Sequence, residues 1–239
     1  MVRVPCCRIW QGRNLTSAAR DVNLIGVSIR SGRRGVLTSA ALCGALGGVQ
    51  HSLRRLNVES IHIRRGVVAD APVLAEFAAR TFADTFGADN RPEDLQAHLA
   101  SAYGATQQVL ELSDPAVITI LAHQGETLIA YAQIRYKSPP VCVTHERPME
   151  VHRFYVDRFA HGSGVAQQLM TAARAAAQEC GGLHLWLGVW ERNPRALTFY
   201  QRVGFVDVGS TDFYVGLDRQ TDRVLVANVM PGAWPQEVL

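Results

Sequence analysis

Lysine is almost missing from this chain of 239 residues: Lys137 is the only one among 24 basic side chains. Cysteine is sparse and unpatterned. The five present (Cys6, Cys7, Cys43, Cys142, Cys180) form no Cys-x-x-Cys pair. That excludes a regular disulfide framework and points to reduced thiols in an intracellular, cytoplasmic protein. No His/Cys/Asp grouping has convincing metal-ligand spacing, so no metal is expected. Long apolar runs are absent as well. The longest weakly charged stretch, 35–49, is too short and too rich in glycine and small residues to cross a bilayer. No helix-turn-helix or RNP-like pattern accompanies the basic residues, so nucleic acid is not an expected partner of the main domain.

What is present divides unevenly. Hydrophobic residues make up 48% and mean hydropathy is +0.02, the profile of a globular protein. Residues 1–57 carry nine arginines against one acid, Asp21, whereas 58–239 carry an excess of acids, so the net charge of +3 hides a basic leader and an acidic domain. The leader is Gly/Ser/Arg-rich without sustained periodicity. Three readings stay open for it: a transit peptide, a disordered basic arm, or sequence upstream of the true start. Residues 58–239 are expected to form one domain.

Within that domain the hydrophobic period predicts the elements. Residues 61–64 alternate as a strand. Asp70 reads as the N-cap of an amphipathic helix running to Phe86. Pro92 opens a second helix through Tyr103, and a short one covers 106–112. Residues 117–122 and 128–135 read as a β-hairpin around Gln124-Gly125-Glu126, and 149–156 as a further strand. A long helix over 166–178 stops at Gly181-Gly182. A strand over 183–189, a helix over 194–202 and strands over 205–215 and 223–229 complete a mixed α/β pattern.

The most informative segment is Val156-Asp157-Arg158-Phe159-Ala160-His161-Gly162-Ser163-Gly164-Val165-Ala166. A strand, a glycine turn and a helix start in this order point backbone N–H groups and the positive end of a helix dipole at one spot, which suits a phosphate. Many such turns merely connect elements. No Gly-Lys-Ser/Thr is present for a P-loop, and Gln167 stands where a dinucleotide fingerprint requires glycine.

About 30 residues further on comes Asn193-x-x-Ala196-x-x-Phe199-Tyr200-x-x-x-Gly204-Phe205. The two segments together resemble the GNAT superfamily of N-acetyltransferases. Its pyrophosphate motif Gln/Arg-x-x-Gly-x-Gly/Ala is matched over His161–Ala166, with His161 departing from the usual first residue. Thr81-Phe82-x-x-Thr85-Phe86, Leu187–Asn193, and the tail around Phe213-Tyr214, Gly216 and Gln220-Thr221-Asp222 are similar to the PaiA-like branch of bacterial GNATs, associated with spermidine/spermine N-acetylation.

This resemblance implies a GNAT fold: a mixed, mostly antiparallel sheet of about seven strands flanked by about four helices. It implies acetyl-CoA as cosubstrate, held by Phe154, Val156, His161, Gly162, Ser163, Gly164, Val165, Ala166, Asn193 and Tyr200. It also implies a small-molecule amine as acceptor and an assembly that is a homodimer in many members.

Direct transfer requires a neutral amine, yet an alkylamine of pKa ~10.4 is mostly protonated at neutral pH, and deprotonation costs roughly 4–5 kcal/mol. A positioned acid or base contributes ~10²–10⁴-fold. Tyr200 is the candidate acid for the CoA thiolate, or else a core tyrosine. Asn193 contacts CoA, caps the helix at Pro194, or does both. Glu150, on the strand entering the glycine turn, is the candidate base, with Glu191 its rival. Many relatives carry a glutamate where this chain has Gly188, so that route is closed. His152 shares Glu150's face. Residues 70–114 hold eight acids against Arg80 and Arg91, a wall suited to a cationic amine such as a polyamine, although helix faces are commonly charged. A protein or peptide acceptor, and a catalytically silent acetyl-CoA-binding module, are the alternatives.

Overall fold

A computed structural model describes residues 60–215 and 218–230. The basic leader, Cys6, Cys7, Cys43 and Gly216 lie outside the described residues. The chain runs β1 (Ile61–Arg65), α1 (Ala71–Phe86), α2 (Pro92–Tyr103), α3 (Ala105–Ser113), β2 (Val117–Gln124), β3 (Thr127–Arg135), β4 (Pro148–Val156), α4 (Val165–Glu179), β5 (His184–Trp190), α5 (Pro194–Arg202), β6 (Val206–Val215) and β7 (Asp218–Asn228). The strands form one seven-stranded sheet in the order β1-β2-β3-β4-β5-β7-β6. Every neighbouring pair is antiparallel except β4 and β5. The mixed, mostly antiparallel sheet with flanking helices matches the expectation, with the short α3 counted as a helix of its own.

The sheet carries a layer on each face. Leu169, Met170, Ala173, Ala176 and Ala177 of α4 pack with Ile129, Ala132, Ile134, Leu185 and Leu187. Leu74, Phe77, Ala78 and Phe82 of α1 pack with Leu121, Leu128 and Tyr131. Burying one such Leu or Phe side chain stabilises by about 1.5–3 kcal/mol. The hairpin of β2 and β3 closes on Gly125-Glu126, with Gly125 at φ 57°. Two local expectations change. Asp70 makes no cap bond to α1; its carboxylate accepts from Val67 N at 2.8 Å and pairs with Arg64 at 2.7 Å. And β7 starts at Asp218, so Gln220, Thr221 and Asp222 lie within a strand rather than before it.

The parallel pair positions the site. A parallel pair needs a crossover connection, and α4 supplies it. β4 and β5 are in register only over Pro148↔His184, Met149↔Leu185 and Glu150↔Trp186. Beyond that point each strand continues, paired on its other side with β3 or β7, and the two diverge.

Candidate active site

The divergence opens a cleft of about 980 Å³. Its walls come from β4, the turn after it, the start of α4, the end of β5 and α5, with α1, α2, β6 and β7 closing the far side. Phe154, Val156, His161, Gly162, Gly164, Ala166, Asn193 and Tyr200 all line it. Ser163 and Val165 do not. The Ser163 hydroxyl donates back to the Ala160 carbonyl at 2.6 Å, and Val165 is buried in the core beneath the turn.

The glycine turn is built by its backbone. Asp157 accepts from Phe159 N and opens a short 3-10 turn, Arg158–Ala160. Gly162 and Gly164 then adopt φ 80° and 83°, where an L side chain is strained. A Cβ at either would meet nothing within 4 Å. Packing therefore does not demand glycine there; the left-handed backbone and the open space above it do. Gly164 caps α4, whose first N–H groups lack intrahelical partners. His161 turns its Nε2 to the Val156 carbonyl at 3.1 Å, and burial with nearby Arg195 lowers its pKa, so the turn carries a neutral imidazole. Arg158, Arg195 and Arg202 line the cleft around this end, with no ion pair to an acid among the described residues. Sequence reasoning passed over these three. Arg195 in the first turn of α5 is the one legible sign, because a cation there opposes the helix dipole.

Asn193 caps α5 by accepting from Ala196 N at 3.1 Å, as one of its two expected roles requires, and it also lines the cleft. Tyr200 is 7% exposed. Its ring meets Phe154, Phe199 and Phe205 edge-on at 5.4–6.2 Å, and burial pushes its phenol well above the ordinary tyrosine range. It is held protonated.

Glu150 stands at the fork, in the last paired position of β4. Its carboxylate is engaged by Arg135, with Lys137 Nζ at 3.7 Å and His152 Nδ1 at 4.0 Å. Burial, then Arg153, Arg135 and Lys137, push His152 down to about 2. Glu191 is exposed and does not line the cleft. Of the eight acids over 70–114, Asp84 alone reaches the cleft. Asp70 serves Arg64, Glu93 and Asp94 face Arg91, and Glu111 is buried against Arg153. Aromatic rings wall the far side instead: Phe82 stacks on His98 at 4.7 Å, Phe86 meets Trp190 at 5.9 Å, and His98 meets Phe213 at 5.9 Å. Among the described residues no cluster of His, Cys, Asp or Glu is arranged to hold a metal, and no helix is long and apolar enough to cross a membrane.

A forked parallel pair, with an anion-receptive turn at one end and a buried phenol between, defines a group-transfer site for a carrier that bears phosphates. Comparison with known proteins names the class. Residues 78–205 match the Acetyltransferase (GNAT) family. An uncharacterized N-acetyltransferase from the pepI 3' region of Lactobacillus delbrueckii subsp. lactis is 30% identical over 156 residues, covering 65% of this chain and 90% of that one. Among solved structures, PaiA N-acetyltransferase of Thermoplasma acidophilum in complex with coenzyme A superposes with a TM-score of 0.58 at 19% identity, over 71% of this chain and 99% of that one. YncA of Salmonella typhimurium with its cofactor acetyl-CoA gives 0.50 at 16% identity, over 75% and 99%. The chain belongs to the GNAT family of acetyltransferases, and its activity is acetyl-CoA-dependent N-acetylation.

Proposed function

We propose that the protein moves the acetyl group of acetyl-CoA directly onto the primary amine of a small cationic acceptor, of the polyamine kind, in a ternary complex. The observation that carries this reading is the polarity of the cleft. Arg158, Arg195 and Arg202, which have no acid partner among the described residues, lie on the turn and α5, whereas Asp84, Asp212 and Asp222 lie on α1, β6 and β7 among aromatic rings; the remaining cations of the lining, Arg135, Lys137 and Arg153, are taken up by Glu150 and Glu111. The first set suits the phosphates of the donor. The second suits an alkylammonium, which gains about 0.5–2 kcal/mol over an aromatic face as well as Coulomb attraction to Asp222, the one of the three with no cation partner among the described residues.

The residues divide the work. The N–H groups at the start of α4 and the left-handed glycines hold the pyrophosphate. Asn193 and Phe154 bound the arm that leads to the thioester. Tyr200, kept protonated by burial, donates to the sulfur as the thiolate departs. A phenol raised so far above its usual pKa stabilises the leaving group chiefly as a hydrogen-bond donor until the sulfur gains full charge.

Release of CoA from acetyl-CoA, followed for the full chain against spermidine, spermine, aminoglycosides, amino acids and short peptides, tests this. The expected result is turnover on the small polycationic amines, reduced ~10²-fold in Tyr200→Phe with acetyl-CoA affinity little changed. Turnover confined to peptides would overturn the small-amine reading, and a folded chain that fails to bind acetyl-CoA would overturn the whole.

A further inference from the structure

Among the described residues four carboxylates line the cleft, and three have a cation beside them. Asp84 on α1 faces Arg80 at 3.7 Å, Asp212 on β6 pairs with Arg219 at 3.0 Å, and Glu150 on β4 is engaged by Arg135. The fourth, Asp222 on β7, has neither an ion pair nor a hydrogen bond among the described residues. Its position follows from the register of β5 and β7. Gly188 lies opposite Val224, which makes Asp222 its diagonal neighbour on the same face of the sheet. A Cβ on Gly188 would stand 2.9 Å from Asp222 Oδ2. The glycine thus leaves a space on β5 that the carboxylate of β7 occupies, at the forked strand and within the cleft.

We propose that Asp222 is the base that takes the proton from the attacking amine, an assignment that rests on the acetyl-transfer reading above. The ammonium form first releases one proton to solvent; the lone pair of the neutral nitrogen then forms the C–N bond, and the electron pair of the C–S bond leaves on sulfur. One N–H proton passes from nitrogen to the Asp222 carboxylate, directly or through a water. Tyr200 gives its proton to the sulfur, and the Asp222 carboxyl returns a proton to the phenolate through solvent, so the enzyme ends as it began. The products are the N-acetylamine and CoA thiol.

Burial alone lifts the Asp222 carboxyl to about 6, which leaves it ionised at neutral pH and close to the range where a base works best. Of the other titratable groups of the cleft, His98 is stacked on Phe82 and His161 is turned to the Val156 carbonyl, while Arg153, Arg158, Arg195 and Arg202 stay cationic and accept no proton. Asp84, Asp212 and Glu150 are paired as described, and His152 is neutral. Arg223, next along β7, is bound to Asp207 at 2.7 Å. Glu150, flanked by Arg135 and Lys137, is poorly placed to accept a proton from a cation.

The test is Asp222→Asn in the full chain, with kcat and acetyl-CoA affinity measured across pH 5–9 on an amine that the wild type acetylates. The expected outcome is a kcat at least ~10²-fold lower, unchanged acetyl-CoA affinity, and loss of the acidic limb that the wild type shows near pH 6. A kcat within about threefold of wild type, or an acidic limb that persists in the variant, overturns the assignment while leaving acetyl transfer intact. A wild type that turns over no amine would overturn acetyl transfer and this assignment together. A second pair guards against loss of fold. Asp222→Ala should be ~10²-fold slow, and Gly188→Asp in that background, which restores a carboxylate from the other strand, should recover at least ~10-fold. Absence of recovery in a variant that still binds acetyl-CoA counts against the proposal.

Discussion

Gly164 shows how one residue ties local conformation to binding. Its φ of 83° costs an L residue about 1–2 kcal/mol, and the space above it is open. Gly164→Ala should therefore lower stability by about 1 kcal/mol, because no clash adds to the backbone strain. It should also raise the KM for acetyl-CoA, because the methyl group projects into the space over the turn. Urea denaturation and donor-dependence kinetics measure the two effects separately. A larger stability loss would mean that the turn packs against something. This residue was legible in the sequence because its requirement is local: a turn between a strand and a helix asks for positive φ whatever surrounds it. The role proposed for Asp222 was not legible, although the residue itself stands in the Gln220-Thr221-Asp222 resemblance. Its importance comes from Gly188, 34 positions earlier, and only the register of two strands brings them together.

At the scale of elements, the same contrast separates α3 from the glycine turn. Glu111 on α3 belongs by sequence to an acidic stretch and reads as part of a substrate wall. In the fold it is a tie between α3 and β4: Arg153 donates to Glu111, to Gln133 Oε1 at 2.7 Å and to the Ala102 carbonyl at 2.8 Å, and lies 4.7 Å from the Tyr103 ring. Glu111→Gln leaves a buried guanidinium without its countercharge and should destabilise by about 3 kcal/mol. Glu111→Gln with Arg153→Met should recover most of that in chemical denaturation, because both charges are then gone. The hydrophobic periods of α1, α4 and the central strands were readable, since each buries one face against the sheet. The start of β7 was not, because Asp218, Arg219 and Gln220 are polar residues on a solvent-facing hairpin and carry no alternation.

For the molecule as a whole, buried ionisable groups set a pH dependence of stability. His152 is pushed to about 2 by burial and by neighbouring arginines. Below the unfolded value of ~6.5 the unfolded chain takes up a proton that the folded chain refuses, so stability falls as pH drops, by about 1.4 kcal/mol at one unit below. His98, His123 and His161 are lowered chiefly by burial and act in the same sense. Asp222, raised to about 6, acts in the opposite sense between that pH and its unfolded value near 4. The histidines outnumber it. Unfolding free energies from urea denaturation should therefore fall from pH 7.5 to 5.5, and His152→Gln should reduce that fall by about 1 kcal/mol. A fall left unchanged by His152→Gln would show that the imidazole is protonated in the folded state.

The fork between β4 and β5 has a consequence for how this protein behaves among other proteins. A sheet that exposes unpaired N–H and C=O groups usually does so at its rim, where any passing strand can add itself and start an aggregate. Here unpaired groups face one another inside the sheet, between strands locked together at Glu150↔Trp186 and secured on their outer sides by β3 and β7. The opening starts from the ~4.8 Å spacing of neighbouring strands. Near the fork that spacing leaves no room for a further strand, which needs ~4.8 Å on each side. The fork thus keeps its own unpaired backbone groups inside the sheet, away from the rims formed by β1 and β6.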